Sequence, residues 1–150
     1  MKYFLILLTA FLTITKSNAQ SAEDSVKAVI NKMFDAMKNS DAASLKSCFG
    51  DSAVFQTIIR NKEGNPMVRN ESVNGFVVSI GKLEKGSADE RILFETIKID
   101  GPMASVWTPY SFYYNGQFSH CGVNSFQLVR FKDGWKIQYI IDTRRKQRCN

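Results

Sequence analysis

The chain has 150 residues, 44% of them hydrophobic, with a formal net charge of +6, one histidine and three cysteines. This length accommodates a single domain with its own core, and one histidine with dispersed cysteines excludes the usual ligand spacing of a metal site. The glycines stand outside any phosphate-loop pattern, and no serine lies in a nucleophile elbow. The sequence therefore predicts no metal, no cofactor, and neither nucleotide nor hydrolase chemistry.

The N-terminus has the pattern of a signal peptide. Its apolar run, residues 3–14, follows a lysine and is shorter than the roughly 20 residues that span a bilayer as a helix. Ser17 and Ala19 are the small residues that a signal peptidase needs before its cut. We expect cleavage after Ala19, so that residues 1–19 are lost. The mature chain is then a secreted or periplasmic single domain, residues 20–150, without a stable membrane anchor.

Much of the positive charge lies in a C-terminal tail, residues 144–148, where four of five residues are basic. Runs of this kind contact nucleic acid or anionic lipid, or simply aid solubility. Because an exported protein rarely meets nucleic acid, the sequence predicts a solvated basic tail and no nucleic-acid partner.

The three cysteines leave at least one thiol free or paired between chains, since three is an odd number. Cys48 lies near the end of a predicted helix on its apolar side, where a buried thiol is expected. Export permits a disulfide, and a bridge from Cys121 to the nearly terminal Cys149 is the hypothesis that the positions favour.

The first half of the chain favours helices. Apolar residues recur at helical spacing over residues 22–39, which predicts a first helix. Residues 39–41 end this helix and cap a second, shorter one that runs to Phe49. A strand over 53–59, a loop over 60–70, a third helix over 71–83 and a loop over 84–89 follow.

The second half favours a sheet of four strands, over residues 90–99, 103–114, 117–131 and 135–145. Asn115-Gly116 predicts a two-residue hairpin, because both central positions of such a turn need positive φ. This turn pairs Tyr114 with Gln117 and sets the register below it.

The predicted register assigns side chains to two faces, because they alternate along a strand. On the first face the pairs are Ser111 with His120, Trp107 with Asn124, Ser105 with Phe126 and Met103 with Leu128. The opposite face carries Val106, Thr108, Tyr110, Phe112, Cys121, Val123, Ser125 and Gln127. This second face is amphipathic enough to form a contact surface.

The order of elements resembles the nuclear transport factor 2-like (NTF2-like) superfamily, the fold shared with SnoaL-like cyclases and ketosteroid isomerase. The segments that carry the resemblance are Asp41–Leu45, Phe49–Phe55, Trp107–Tyr110, His120–Asn124, Gly134–Ile137 and Asp142–Arg145. The last four look like exported bacterial members that are lumazine-binding-like. The resemblance covers about residues 22–146. It implies an α+β cone, in which a curved, mostly antiparallel sheet wraps around N-terminal helices, and a homodimer formed through the outer sheet face.

In such a cone the concave sheet face and the first helices enclose a largely apolar pocket with a few polar groups. The candidate ligand-binding residues are Trp107, Ser111, His120, Asn124 and Phe126. Aromatic residues at these spacings are also ordinary core residues, because they bury well.

His120 is a candidate catalytic residue, because imidazole changes charge near neutral pH. Its alternative role is a hydrogen bond to Ser111 or to a backbone carbonyl, which satisfies a half-buried polar group. Asp142 is the acid of the last strands that can serve as a base if it faces inward, and an exposed ion pair with Arg144 is its alternative. No tyrosine–carboxylate constellation is evident at a matching position, which departs from the isomerase pattern.

Three functions remain open at this point. The first is an exported protein that binds a partly aromatic small molecule in the cone pocket. The second is a SnoaL-like cofactor-free enzyme of isomerase, dehydratase or cyclase type that uses His120 for proton transfer. The third is a non-catalytic interaction module whose own side chains fill the pocket. One scaffold can host all three, so the fold alone does not decide between them.

Overall fold

A computed structural model describes residues 15–149 of the chain, with side chains from Ala22 onward. Most of the predicted signal peptide, residues 1–14, lies outside the described residues. The helices are α1 (Thr15–Lys38), α2 (Ala42–Ser47) and α3 (Val73–Ile80). The strands are β1 (Phe49–Arg60), β2 (Pro66–Glu71), β3 (Ala88–Ile92), β4 (Thr96–Asp100), β5 (Met103–Tyr114), β6 (Gln117–Phe131) and β7 (Gly134–Arg145).

The described strands form one sheet, which curves around the helices without closing. Its strand order is β2-β1-β7-β6-β5-β3, and β4 also pairs with β5. The β1–β7 pair is parallel and the other pairs are antiparallel. The predicted α+β cone is therefore confirmed.

The helices form because their apolar residues recur on one side, and the first turns of α2 and α3 are capped. On α1, Val26 and Ile30 are fully buried against the sheet. Asp41 caps α2 by accepting a hydrogen bond from the Ser44 amide at 2.9 Å, and Ser72 caps α3 in the same way. Together with the inner sheet face these helices enclose the hydrophobic core.

Two strand predictions are wrong. The predicted loop 60–70 contains most of β2, an exposed edge strand whose sequence, PMVRNE, lacks the alternation of a half-buried strand. The predicted strand 90–99 is two strands, β3 and β4, that pair with successive parts of β5. The interruption lies opposite Pro109, which has no amide hydrogen to continue the ladder.

The hairpin between β5 and β6 has the predicted turn but not the predicted register. Asn115 and Gly116 have φ values of 51° and 76°, and Tyr114 pairs with Gln117 as expected. The register then shifts between Phe112 and Tyr113, because Ser119 is an extra residue in β6. Such a bulge moves every later residue of β5 by one position relative to β6.

The bulge exchanges the two faces of β5. Ser111 pairs with Cys121 and Trp107 pairs with Ser125, so both lie on the outer face with Ser105 and Met103. The inner face instead receives Val106, Thr108, Tyr110 and Phe112, which share it with His120, Asn124, Phe126 and Leu128. The prediction that Trp107 and Ser111 share a face with His120 and Asn124 is wrong for this reason.

The cysteine hypotheses are confirmed. Cys121 and Cys149 form a disulfide with a Cα–Cα distance of 5.7 Å, which fastens the C-terminal tail to the outer face of β6. Cys48 is free and buried. Within residues 15–149, no helix has the length and apolar character needed to cross a membrane.

Thiol labelling is expected to reproduce this pairing. Without reductant, the denatured protein should take up one label, at Cys48, and after reduction it should take up three. In the folded protein the buried Cys48 should label slowly, because burial raises the pKa of its thiol and limits access. Intact mass spectrometry of each sample provides the count. Three labels without reductant would contradict the bridge.

Candidate functional site

A cavity of about 480 Å³ lies between α1, α3 and the inner face of the sheet. Its volume falls in the range typical of small-molecule sites. The apolar part of its wall includes Met33, Met37, Phe55, Phe76, Phe126 and Ile140. The polar part includes Glu90, Tyr110, His120, Asn124, Asp142 and Arg144. The cavity is therefore a largely apolar pocket with a compact group of titratable side chains.

Strand register explains why the polar side chains cluster. Phe126 and Ile140 pair with each other and form an apolar row across β6 and β7. On the same face the next row contains Asn124 and Asp142, and the row after that contains Arg144 beside Gly122. Every second residue of a strand points inward, so these three rows lie side by side on the inner face. The cavity wall therefore changes from apolar to polar along the strands.

Gly122 allows the Tyr110 ring and the Thr143 carbonyl to lie close to β6. A Cβ at this position would collide with the Thr143 carbonyl and lie 2.8 Å from Cε1 of Tyr110. The space is therefore taken by the Tyr110 ring, which crosses to β7. There its hydroxyl donates to the Thr143 carbonyl at 3.0 Å and lies 3.3 Å from Oδ2 of Asp142.

Asp142 forms an ion pair at the cavity wall. Its side chain is only 5% exposed, and Oδ2 accepts a hydrogen bond from Nε of Arg144 at 2.9 Å. Arg144 also donates to Oγ1 of the fully buried Thr57. The predicted pairing of Asp142 with Arg144 is confirmed, but the carboxylate faces inward and is buried rather than exposed. With Tyr110 it forms the tyrosine–carboxylate pair that the sequence did not reveal.

Glu90 is the most perturbed carboxyl group of the cavity. Its Oε1 accepts a hydrogen bond from Nδ2 of Asn124 at 2.8 Å. Burial raises the pKa of Glu90 to about 7, the Asn124 hydrogen bond opposes the shift, and the charge of Asp142 adds to it. Near neutral pH this group can therefore hold or release a proton inside a largely apolar pocket.

The shift at Glu90 predicts how stability depends on pH. Its ordinary pKa is 4.5, so between pH 4.5 and about 7 the folded protein keeps a proton that the unfolded chain loses. This contribution to the free energy of unfolding is complete below pH 4.5 and is lost as the pH rises through about 7. We measure the free energy of unfolding in urea at several pH values. Replacing Glu90 with Gln should remove the fall in this free energy between pH 4.5 and about 7, and the exposed Glu95→Gln variant should retain it. The same dependence of the free energy of unfolding on pH in both variants would contradict the raised pKa of Glu90.

His120 lies at the same cavity wall but makes different contacts from those expected. Its Nδ1 is 3.1 Å from Oγ of Ser119, the bulge residue, rather than near Ser111. Its ring packs against Tyr110 and Phe112 at centroid distances of 5.7 and 5.0 Å. Burial, and then the charge of Arg144, lowers the pKa of His120, which favours the neutral form of the ring.

The structure brings four of the six sequence-predicted site residues together. His120, Asn124, Phe126 and Asp142 all line the cavity. Trp107 and Ser111 lie on the outer face, where Trp107 is 46% exposed. The bulge at Ser119 separates the two groups.

Three residues of this polar group were not among the predicted site residues: Glu90, Tyr110 and Arg144. Signals for two of them were present. Val106, Tyr110 and Phe112 are the more apolar alternate set of β5, which predicts an inner face. Ala88, Glu90 and Ile92 alternate in the same way, which places an acid among inward-facing residues. Arg144 was predicted only as the partner of Asp142 in an exposed ion pair, because it begins a run of basic residues that favours solvent.

An open α+β cone with a cavity between its helices and its curved sheet is the NTF2-like fold. Solved structures with this fold include an NTF2-like protein of unknown function from Shewanella baltica OS155. It is 14% identical, covers 90% of this chain and 100% of its own, and has a TM-score of 0.66. An NTF2-like protein from Novosphingobium aromaticivorans is 11% identical, with 90% and 92% coverage and a TM-score of 0.66.

A third similar structure is described as a "putative dehydratase" of the NTF2-like family from Streptomyces avermitilis. It is 15% identical, covers 85% of this chain and 98% of its own, and has a TM-score of 0.61. At these identities the likeness concerns the fold alone. No curated protein matches the chain. The family model described as "Putative lumazine-binding" matches residues 21–139, so the chain belongs to that family within the NTF2-like superfamily.

Proposed function

We propose that the chain is an exported protein that binds a partly aromatic small molecule in the cone cavity. The observation that carries this proposal is the cavity of about 480 Å³ with aromatic walls and a compact polar group. Phe55 and Phe76 meet edge to face there, with ring centroids 5.3 Å apart, and can contact a flat ligand. An open cavity favours this function over an interaction module whose pocket is filled by its own side chains. The family description supports a small-molecule ligand.

Native mass spectrometry tests this function. The protein is purified from the extracytoplasmic fraction of its own host, and its intact mass is recorded before and after gentle activation. We expect a chain that begins at Gln20, which supports export, and an added mass that leaves on activation. A chain that retains residues 1–19 would contradict cleavage. A bare chain that also takes up no added lumazine or naphthalene derivative would contradict ligand binding.

A second candidate function is cofactor-free proton transfer, and the observation that favours it is Glu90. A carboxyl group whose pKa is about 7 suits a general acid or base at neutral pH, whereas the lowered pKa of His120 leaves that ring a neutral partner. We therefore assign the proton-transfer role of this alternative to Glu90, with His120 and Asp142 beside the substrate.

Deuterium exchange separates the two functions. The molecule released in the native mass spectrum is incubated with the protein in D₂O, and its mass is followed over time. An enzyme of this type should introduce deuterium at carbon, and the Glu90→Gln variant should lose that exchange while it still binds. His120→Gln should retain most of it. Binding without any exchange would leave the carrier function.

We also propose that two copies associate through the outer sheet face. This face is apolar at Val54 and Trp107, each 46% exposed, and at Val68, which is 55% exposed. Exposed apolar residues on one surface are typical of an interface. Sedimentation velocity at micromolar concentration should give a dimer for the wild type and a monomer for Trp107→Lys. Leu93→Lys, at a residue 72% exposed between β3 and β4, is the matched control and should remain dimeric. A monomeric wild type would contradict this association.

A further inference from the structure

We propose that the cavity binds a neutral, flat ring molecule that carries an N–H or O–H donor on one edge, and that Glu90 accepts a hydrogen bond from this donor. The inference rests on the proposed function and adds to it the chemical class of the ligand.

At the polar end of the cavity, where Glu90, Asn124 and Asp142 lie with Tyr110 and Arg144, each donor side chain already makes a hydrogen bond to the protein. Asn124 donates to Glu90, and the Tyr110 hydroxyl donates to the Thr143 carbonyl. Arg144 donates to Asp142 through Nε and to Thr57 through Nη2. A ligand that offered only acceptors would have to compete for these donors.

The two carboxylates at this end, in contrast, have acceptor sites that no protein donor occupies. A carboxylate has about four lone-pair sites, and the Asn124 amide occupies one on Glu90. Oδ1 of Asp142 is buried without a hydrogen-bond partner among the described residues. His120 can donate or accept through Nε2 according to its tautomer. The polar end is therefore rich in acceptors and is complementary to a donor on the ligand.

The charges disfavour an anion. Three carboxyl groups line the cavity, at Glu71, Glu90 and Asp142, and Arg144 is the one cationic residue among its described lining residues. Arg144 is paired with Asp142 at 2.9 Å, while Glu71 is paired with Arg69 outside the lining. A carboxylate or phosphate would meet the unpaired negative charge of Glu90 whenever that group is ionised, and like charges in a partly buried site repel strongly.

The shape of the cavity sets the orientation. The polar side chains occupy inner rows of the sheet beyond the apolar row of Phe126 and Ile140. Phe55 lies in the same apolar row beside Ile140, Phe76 packs against it, and Met33 and Met37 also line the cavity. A ring system therefore packs between aromatic and methionine side chains while its donor-bearing edge reaches the acid group.

Three naphthalene probes that differ in one substituent test this inference. These are 2-naphthol, which has one O–H donor, 2-methoxynaphthalene, which has none, and 2-naphthoate, which is an anion. Calorimetric titrations at about pH 8 keep Glu90 mostly ionised and 2-naphthol neutral. We expect 2-naphthol to bind about tenfold or more tightly than either of the other two, the effect of one hydrogen bond to a charged acceptor.

Two variants of Glu90 and one control locate the effect. Glu90→Met removes the acceptor and should reduce the preference for 2-naphthol over 2-methoxynaphthalene to about threefold or less. Glu90→Gln keeps an acceptor without the charge and should weaken the discrimination against 2-naphthoate. The control Glu95→Met, at an exposed residue outside the cavity, should behave as the wild type. Circular dichroism verifies that each variant is folded; if Glu90→Met is not, Glu90→Gln should still lower the preference for 2-naphthol, because a neutral acceptor forms a weaker hydrogen bond than a charged one.

The outcomes separate this inference from the proposed function. Equal affinity of the wild type for 2-naphthol and 2-methoxynaphthalene overturns the donor requirement but leaves an apolar binding site. Tightest binding of 2-naphthoate overturns the inference in favour of an anion held by Arg144. Binding of none of the three probes overturns both the inference and the aromatic-ligand function. A preference that persists in both Glu90 variants overturns the role of Glu90.

Discussion

Replacing Gly122 with alanine is expected to lower the free energy of unfolding by about 3 kcal/mol or more, because overpacking against backbone cannot be relieved by a rotamer change. The added methyl group would collide with the Thr143 carbonyl on β7 and with the Tyr110 ring. Relief requires β6 and β7 to separate or Tyr110 to leave its position over Gly122. Either movement also breaks the hydrogen bond from Tyr110 to Thr143 and disturbs the ion pair beside it.

Urea unfolding at neutral pH measures this effect, and Gly75→Ala provides a matched control. A Cβ at Gly75 on α3 would meet only Ser72, at 3.4 Å, which is an ordinary contact. Alanine there should leave the stability unchanged or raise it by up to about 1 kcal/mol, since glycine disfavours helix. Equal unfolding midpoints for Gly122→Ala and the wild type would show that the two strands do not approach each other as described.

Replacing Arg144 with methionine is expected to lower the free energy of unfolding by about 2 kcal/mol. Asp142 is nearly buried, so without the guanidinium its charge retains only the longer Tyr110 contact. Removing one partner of a buried pair costs about 3–5 kcal/mol, and the 39% exposure of the Arg144 side chain reduces that figure. The loss of the Thr57 contact adds to the effect.

The double variant Asp142→Asn with Arg144→Met tests the reason for this loss. If the uncompensated charge is the cause, the double variant should be more stable than Arg144→Met alone, because the remaining amide is neutral. Lys146→Met is the control for removing one positive charge from the tail, and at this exposed position it should change stability by less than about 0.5 kcal/mol. A loss as large in Lys146→Met as in Arg144→Met would point to net charge rather than to the pair.

The sequence by itself determined the class of fold, because the signals for it are local. Helical periodicity around Val26 and Ile30 and the Asn115-Gly116 turn depend on neighbours along the chain, and both are confirmed. The resemblance to the NTF2-like superfamily, carried by short segments such as His120–Asn124, predicted the same cone. The bridge between Cys121 and Cys149 could also be inferred, since few pairings were possible.

Only the tertiary structure decided the composition of the candidate site. The extra residue at Ser119 turned Tyr110 inward and Trp107 outward, and a shift of one residue reverses a whole strand because side chains alternate with a period of two. Glu90 acquires its pKa of about 7 from burial and from neighbours on β6 and β7, far from it in sequence. Fold class thus follows from patterns within short segments. The chemistry of the pocket follows from distances between strands, which a linear sequence does not contain.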